Sequence, residues 1–340
     1  MKKELGIGIL LVVLVIVLRL LNPRFLSPIN VQNLSNLVGI FGIFSIGLGV
    51  IIITGGIDLS VGSVFALQGV LLSMMLVQGH WPWPVAALSA IAIVVLLGVF
   101  HGFIITVVKL QPFIVTLCGL LFYRGLARFI ANDETKGFGS DSFGLLRPMA
   151  TKVLYIGDWG IGMPFVLLMI IAVIMWVVLH RSVYGRYLYA VGRNEEAARY
   201  SGINTKLVIG GAYALSMLLA SITGILLAFY TNSISPNDHG NSYELYGIAA
   251  AVLGGCSLRG GEGSIIGIIL GTILLQVLRN LVTLLHIPSS LDLAVMGAVI
   301  FIGVTIDQLL GTRKKRTKTP ALVQQTDAIP AKPAVGGPTP

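Results

Sequence analysis

The chain has 340 residues, 55% of them hydrophobic and only 11% charged, with a mean hydropathy of +0.90 and a formal net charge of +9. Soluble domains carry about 25% charged residues, so a water-soluble globule is excluded: its apolar core would have no polar shell. The bases gather between apolar runs and near the C-terminus rather than on an aromatic-interleaved face, which argues against nucleic acid as a partner and for membrane topology.

Met1-Lys2-Lys3 precedes an apolar run, Leu5–Leu21, that ends in Arg19-Leu20-Leu21-Asn22-Pro23. No small-x-small cleavage signal follows, so the run reads as a retained first span. In chain order the apolar segments are 5–22, 34–53, 61–79, 84–108, 112–131, 161–180, 207–230, 244–258, 263–283 and 289–309. Most approach the roughly 20 residues that a helical span needs. The eighth is short and is expected to be tilted, broken or re-entrant. The pattern predicts an all-α polytopic bundle of about ten spans, with breaks near 54–63 and 244–264. The bundle takes in residues 1–310; 311–340, basic at first and then rich in Pro, Ala, Thr and Gly, is expected to be a disordered cytoplasmic tail.

Charge orients the set. With the N-terminus inside, the cytoplasmic segments hold fourteen bases: Lys2, Lys3, Lys109, Arg181, Arg186, Arg193, Arg199, Lys206, Arg259, Arg313, Lys314, Lys315, Arg316 and Lys318. The external segments hold four: Arg24, Lys136, Arg147 and Lys152. Both termini and the loop 181–206 are therefore expected in the cytoplasm, and the long loop 132–160 outside.

Thr54-Gly55-Gly56-Ile57-Asp58-Leu59-Ser60-Val61-Gly62-Ser63 is the strongest motif. Paired glycines interrupt an apolar run, an acid follows, and a helix restarts near Ser60. A carboxylate deep in a membrane costs about 2.5–3.5 kcal/mol on insertion scales, and it is tolerated as a cap on free N–H groups at a helix start. Asp58 is therefore expected to be a helix N-cap. The same break can line a path or gate, because irregular backbone at depth is tolerated where it faces protein or water.

Two internal repeats compete. Gly55-Gly56-x-x-Leu59-x-x-Gly62 matches Gly254-Gly255-x-x-Leu258-x-x-Gly261; spans four and five match nine and ten, each pair having a proline that opens its second helix (Pro112, Pro288). The second suits an inverted repeat and is preferred on geometry. Gly263, Gly267 and Gly271 share a helical face, as do Gly98 and Gly102, and are expected to let helices of one subunit pack closely. Gln68, His101, Gln276, Asn280 and Asp307 are lone polar residues in spans, expected mainly as helix-to-helix hydrogen bonds that together make a weakly polar pathway. Cys118 and Cys256 form no CxxC or Cys/His cluster and the five histidines have no ligand spacing, so no disulfide framework or metal site is expected. No buried acid–base cluster is apparent, no nucleophile–base set, and no GxxxxGK[ST] phosphate loop, so an enzyme or an ATP-binding chain is not expected.

The longest basic loop carries Asn194-Glu195-Glu196-Ala197-Ala198-Arg199-Tyr200-Ser201-Gly202. Glu196–Tyr200 are good helix formers, and Gly202 suits the position that ends such a helix. The stretch resembles the EAA…G coupling loop of ATP-binding-cassette (ABC) importer permeases. Thr54–Ser63, Leu110-Gln111-Pro112-Phe113-Ile114-Val115-Thr116-Leu117, Tyr184–Ile203 and Leu253–Ser264 each resemble segments of the ribose/xylose/galactose-type sugar permeases of bacteria. The likeness covers 10–310 and departs at three places: Cys256 replaces a usual threonine, His101-Gly102 stands where asparagine-glycine is usual, and Asn280-Leu281 lacks a glycine.

This resemblance implies the type II-like permease subunit of an ATP-driven monosaccharide importer in the bacterial cytoplasmic membrane. Its partners would be an ABC ATPase subunit carrying ATP and Mg2+, a periplasmic or lipid-anchored sugar-binding protein, a second permease copy or paralogue, and lipid, with no cofactor in this chain. It implies ATPase coupling through Asn194, Glu195, Glu196, Ala197, Ala198 and Gly202, and a path or gate drawing on Gly55, Gly56, Asp58, Ser60, Gln68, Phe113, Thr116 and Asn280. The alternative is a stand-alone secondary transporter or facilitator for a small polar solute.

Overall fold

A computed structural model describes residues 2–285 and, beyond them, positions 288, 291, 294, 295, 297, 298 and 301. The elements below belong to one compact unit, Met1–Gly297. The tenth expected segment, Asp307 and the tail 311–340 lie outside the described residues, apart from isolated positions.

The helices are α1 (Lys2–Leu21), α2 (Pro28–Ile53), α3 (Val61–Ser73, continued by a π-helical turn to Gln78), α4 (Trp83–Phe103, continued likewise to Val108) and α5 (Pro112–Ala131). Then come α6 (Leu146–Thr151), a hairpin of β1 (Val153–Ile156) and β2 (Trp159–Gly162), and α7 (Met163–His180). The rest is α8 (Val183–Arg193), α9 (Glu195–Tyr200), α10 (Thr205–Thr231), α11 (Tyr243–Leu253) and α12 (Ile265–Leu284). Eight of these helices are long and apolar enough to cross a bilayer among the described residues, so the fold is an all-α polytopic bundle. The loop 132–160 differs from a plain connection: it folds into α6 and an antiparallel hairpin whose register pairs Val153 with Gly162 and Ile156 with Trp159.

The bundle is organised about α2: 94% of its spanning window lies inside the protein, against 6% for α1, although both helices are apolar all round. Ser27 and Pro28 start it, the Ser27 hydroxyl accepting from the Asn30 N–H and proline filling a position that needs no donor. Its glycines admit the neighbours. A Cβ on Gly39 would overlap the Pro164 backbone of α7, and one on Gly47 would come within 3.0 Å of Ser216 on α10. The glycine stripes let helices pack closely as expected, except that Gly263 precedes α12 and lies against Cys256 and Ile53. Gly98 and Gly102 of α4 meet Tyr213, Met217 and Gly210 of α10, while Gly267 and Gly271 of α12 meet Gly254 and Ala250 at the end of α11.

The eighth expected span is a broken one. α11 has 11 residues, a rise of about 16 Å against a hydrocarbon core of about 30 Å. The rest of the depth is covered without helix. After α10 the chain turns at Asn232 and pairs with Lys136 through Ile234 (N···O 3.0 and 2.7 Å). It then runs antiparallel to α3, Ile234 lying against Gly69 and Gly240 against Gly62.

Both glycine pairs terminate helices in the same way. In each, the residue after the cap takes a left-handed backbone (Gly55, φ +84; Gly255, φ +94). Two backward bonds close each end: Gly56 N–H to Ile51 O and Gly55 N–H to Ile52 O, then Cys256 N–H to Ala251 O and Gly255 N–H to Val252 O. This is the Schellman arrangement, in which orphan carbonyls find donors. The left-handed residue is the first glycine of one pair and the second of the other. The 55–62 and 254–261 match is therefore two similar helix stops, offset by one residue, rather than a superimposable repeat. The favoured pairing of spans four and five with nine and ten falls largely on residues that are not described.

One expectation is corrected. Asp58 is not the N-cap of α3; Ser60 holds that position and makes no side-chain cap bond. Asp58 Oδ1 instead accepts from Ser60 N–H (2.8 Å) and Ser60 Oγ (2.7 Å), a two-residue Asx turn that shapes the approach to the helix. Proximity along the chain favours this turn over a bond deeper in α3. An amide oxygen can accept the same bonds, whereas leucine leaves the buried Ser60 donor unpaired at a cost of about 1–3 kcal/mol. We expect Asp58→Asn to retain far more folded, membrane-inserted protein than Asp58→Leu in detergent thermal-shift assays. Equal losses would mean that the negative charge, not the turn, is what the fold requires.

Candidate functional site

Buried polar groups collect behind the 54–60 break. The Asp58 side chain is wholly buried, and among the described residues its Oδ2 has no hydrogen-bond partner. Tyr213 of α10 donates its hydroxyl to Ile57 O at 3.2 Å, and Thr116 of α5 reaches the same carbonyl at 3.4 Å. His101 of α4 sets its Nε2 2.8 Å from the Tyr123 hydroxyl of α5. Its ring stacks on Tyr123 at 5.7 Å and stands edge-on to Tyr213 at 6.5 Å. His101 Nδ1 is likewise buried without a partner among the described residues. Asp58 lies near enough to bear electrostatically on His101, Tyr123, Tyr213 and Glu244.

Glu244, at the start of α11, is 6% exposed and packs where a Cβ on Gly62 would overlap its carboxylate. Half-buried Arg124 of α5 donates to Pro236 O (3.1 Å) and His239 O (2.8 Å), supplying hydrogen bonds that the non-helical descent cannot make with itself. The sequence showed no buried acid–base cluster because its members are far apart in the chain; the fold assembles one from Asp58, His101, Tyr123, Glu244 and Arg124. Glu244 and Arg124 were missed as site residues. The signal that could have found them is an ionisable residue inside an apolar segment, which is costly there without a task.

The expected path residues divide. Gly55, Gly56, Asp58, Ser60 and Thr116 come together at the break. Gln68 lies farther along α3 and bonds Ser221 of α10. Asn280 of α12 makes a reciprocal pair with Asn30 of α2 (3.0 and 2.7 Å), a helix-to-helix lock as expected of a lone amide. Phe113 is 51% exposed on the outer face of α5. The polar atoms at the break are buried, so a solute reaches them only when the surrounding helices part. The group offers hydrogen-bond donors and acceptors of both kinds, which suits a neutral polyol. Among the described residues no group of three or more His, Cys, Asp or Glu side chains could hold a metal ion.

The second constellation is the 181–206 connection. α8 is strongly amphipathic, burying Gly185, Leu188 and Val191. Asn194 both ends α8 and caps α9, its Oδ1 accepting Ala197 N–H at 2.9 Å. α9 runs from Glu195 to Tyr200, one residue longer at its start than Glu196–Tyr200. Its acids sit in the first turn and Arg199 in the last, as the helix dipole favours. Gly202 (φ +83) stops it as expected, with Ile203 N–H on Ala198 O and Gly202 N–H on Arg199 O. Only Ala198 of α9 is buried. Glu196 is 75% exposed along its side chain and Tyr200 81% exposed, and Val183, Tyr187 and Leu207 add further exposed apolar surface nearby. From α8, Tyr189 donates to Gly263 O at 2.7 Å, and burial pushes its hydroxyl up to about 12, so it remains a donor across neutral pH. The 54–60 break, the α8–α9 connection, the 254–264 turn and Glu4, which bonds Ser264, all gather at one end of the bundle. The hairpin lies at the other end, where Gly162 N–H bonds Ser35 near the start of α2.

Residues 30–304 match the profile of the family described as branched-chain amino acid transport system / permease component. The chain is 39% identical over 307 residues to the ribose import permease protein RbsC of Bacillus subtilis (strain 168), covering 90% of this chain and 93% of that protein. It is 35% identical over 306 residues to RbsC of Escherichia coli (strain K12), covering 88% and 92%. It is 29% identical over 306 residues to the D-allose transport system permease protein AlsC of the same organism, covering 90% and 91%. No solved structure matches the chain. The extent of the profile match and the near end-to-end alignment agree with the polytopic bundle and its broken spans: the chain belongs to the branched-chain amino acid transport system permease family.

Proposed function

We propose that this protein is the membrane-spanning subunit of an ATP-driven importer for a monosaccharide, and that α9 is its contact with a separate ABC ATPase. The observation that carries the reading is α9 itself. A six-residue helix is too short to persist on its own in water, yet this one is capped at both ends and presented with its side chains largely uncovered. A surface built at that expense and left unpacked suits a partner, and exposed apolar residues beside it point the same way. The sugar class rests on the names of the relatives and on the hydroxyl, imidazole and carbonyl groups that Ser60, Thr116, Tyr123, Tyr213 and His101 gather around the break. The break at Gly55–Ser60, with Thr116 and Tyr213 against it, serves as part of the gate.

By this reading the complex contains two permease chains, two ATPases that hold ATP and Mg2+, and an external binding protein that delivers sugar. It sits in the bacterial cytoplasmic membrane with the α8–α9 end inside. ATP drives α9, and the helices around the break part to admit the solute. A stand-alone facilitator has no use for a capped, uncovered helix; sugar uptake that survives loss of the ATPase would establish it instead.

Two outcomes follow. In intact cells, a cysteine placed at Tyr155 on the hairpin (70% exposed) is expected to react with an impermeant thiol reagent, and one at Tyr200 (81% exposed) only after lysis, in a Cys118→Ser background. Reaction of the Tyr200 position from outside would invert the topology. Glu196→Lys and Gly202→Leu are both expected to leave insertion intact, since the Glu196–Arg199 pair is exposed and worth under about 1 kcal/mol, and a Cβ at Gly202 meets nothing. Leucine in the left-handed conformation costs about 1–2 kcal/mol and frays the end of α9. Uptake of labelled ribose should fall in both, with weaker co-purification of the ATPase. Wild-type uptake and wild-type ATPase stimulation in both variants would remove α9 from the coupling path.

A further inference from the structure

The end of α8 touches two helix breaks at once, and it does so through main chain. A Cβ on Gly192 would overlap Ile53 O and come within 2.5 Å of Gly261 N. Ile53 O is also the acceptor for Gly261 N–H at 2.8 Å. A Cβ on Gly260 would lie 2.6 Å from Gly192 O and 3.0 Å from Gly55 N. Three segments distant in sequence thus meet backbone to backbone: the last turn of α8, the end of α2 where it enters the 54–60 break, and the 254–264 turn. Tyr189 adds its bond to Gly263 O one turn earlier. On the other side of Gly192, Asn194 joins α8 to α9 with no free linker residue, its N–H on Ala190 O and its carbonyl taking Ala198 N–H.

We propose that this glycine junction is the transmission element of the permease: α8, α9 and the 254–264 turn move as one body, and Gly192, Gly260 and Gly261 are positioning residues that deliver that movement to the α2–α3 break. The proposal rests on the reading of α9 as the ATPase contact. Its physical basis is that a contact made by side chains can absorb displacement by changing rotamer, whereas main chain at van der Waals distance cannot, so close-packed joints pass displacement on. The 254–264 turn continues into α12, whose Gly267 and Gly271 pack on the end of α11, so the same displacement reaches the helix that carries Glu244. One input at α9 then acts on both broken segments that bound the buried polar group.

Gly192→Ala tests the joint directly. In the assembled complex in vesicles, the variant is expected to keep its ATPase and continue to hydrolyse ATP. Labelled ribose imported per ATP hydrolysed should fall about 5- to 150-fold, the range of ordinary coupling energies. An unchanged ratio overturns the proposal.

A second measurement does not disturb the joint. Spin labels are placed pairwise at Arg199 on α9, Leu258 on the turn (51% exposed) and Tyr155 on the hairpin, in a Cys118→Ser background with buried Cys256 retained. Distances are read in the full complex without nucleotide and with ATP, Mg2+ and vanadate. The 199–258 distance should stay constant while 199–155 and 258–155 both change. Movement of 199 with 258 left behind overturns the junction and leaves the ATPase contact standing. No change in any pair overturns both.

Discussion

In a bilayer the main chain has no water to bond, so every N–H and C=O inside the bundle needs a partner within the protein. Three of the stretches where this chain leaves helical structure, 54–60, 232–242 and 254–264, pack into the bundle, and the surrounding helices are arranged to satisfy them. The breaks are closed partly by themselves, through Schellman ends at Gly55 and Gly255 and the Asx turn of Asp58. They are closed partly by one another, through Gly261 N–H on Ile53 O. Helices supply the remainder: Tyr213 and Thr116 bond Ile57 O, and Arg124 bonds Pro236 O and His239 O.

That requirement explains where the few polar side chains are spent. An arginine in a span is expensive, and Arg124 is retained where two carbonyls of an unwound segment would otherwise go without donors. It explains the glycines too. Helices approach α2, α10 and α12 through positions without Cβ, because in lipid the attraction between helices comes from close packing and hydrogen bonds rather than from water exclusion. The result of the design is a polar interior that a uniform bundle would lack, built among the described residues from Asp58, His101, Tyr123, Glu244 and Arg124.

His101 shows how a local departure is absorbed. The stretches that resemble sugar permeases usually carry asparagine before this glycine, and an imidazole is larger. Here its ring fits because Gly119 of α5 has no side chain: a Cβ there would lie 3.0 Å from His101 Nε2. The hydrogen bond to Tyr123 then links α4 to α5. The imidazole thereby joins the hydrogen-bonding groups next to the break.

Much was legible in the sequence, for identifiable reasons. Span positions follow from apolar run length, since a helix must satisfy its own backbone across the membrane. The stop of α9 at Gly202 was readable because a left-handed residue favours glycine, and the helix breaks were readable from paired glycines. The short eighth segment announced a broken span by being too short to cross. What only the tertiary structure decided is which distant segments share a place. Asp58 acts as a turn residue instead of a cap because Ser60 is nearer than the helix donors. Asn280 pairs with Asn30 across 250 positions, and Phe113 faces outward. Glu244, Arg124 and His101 become neighbours of one break, and Gly192 meets Ile53 and Gly261. Hydrophobic periodicity is nearly uniform in a chain this apolar, so it cannot say which face of a span turns inward; close packing of small residues and the pairing of unwound backbone decide that, and both exist only in three dimensions.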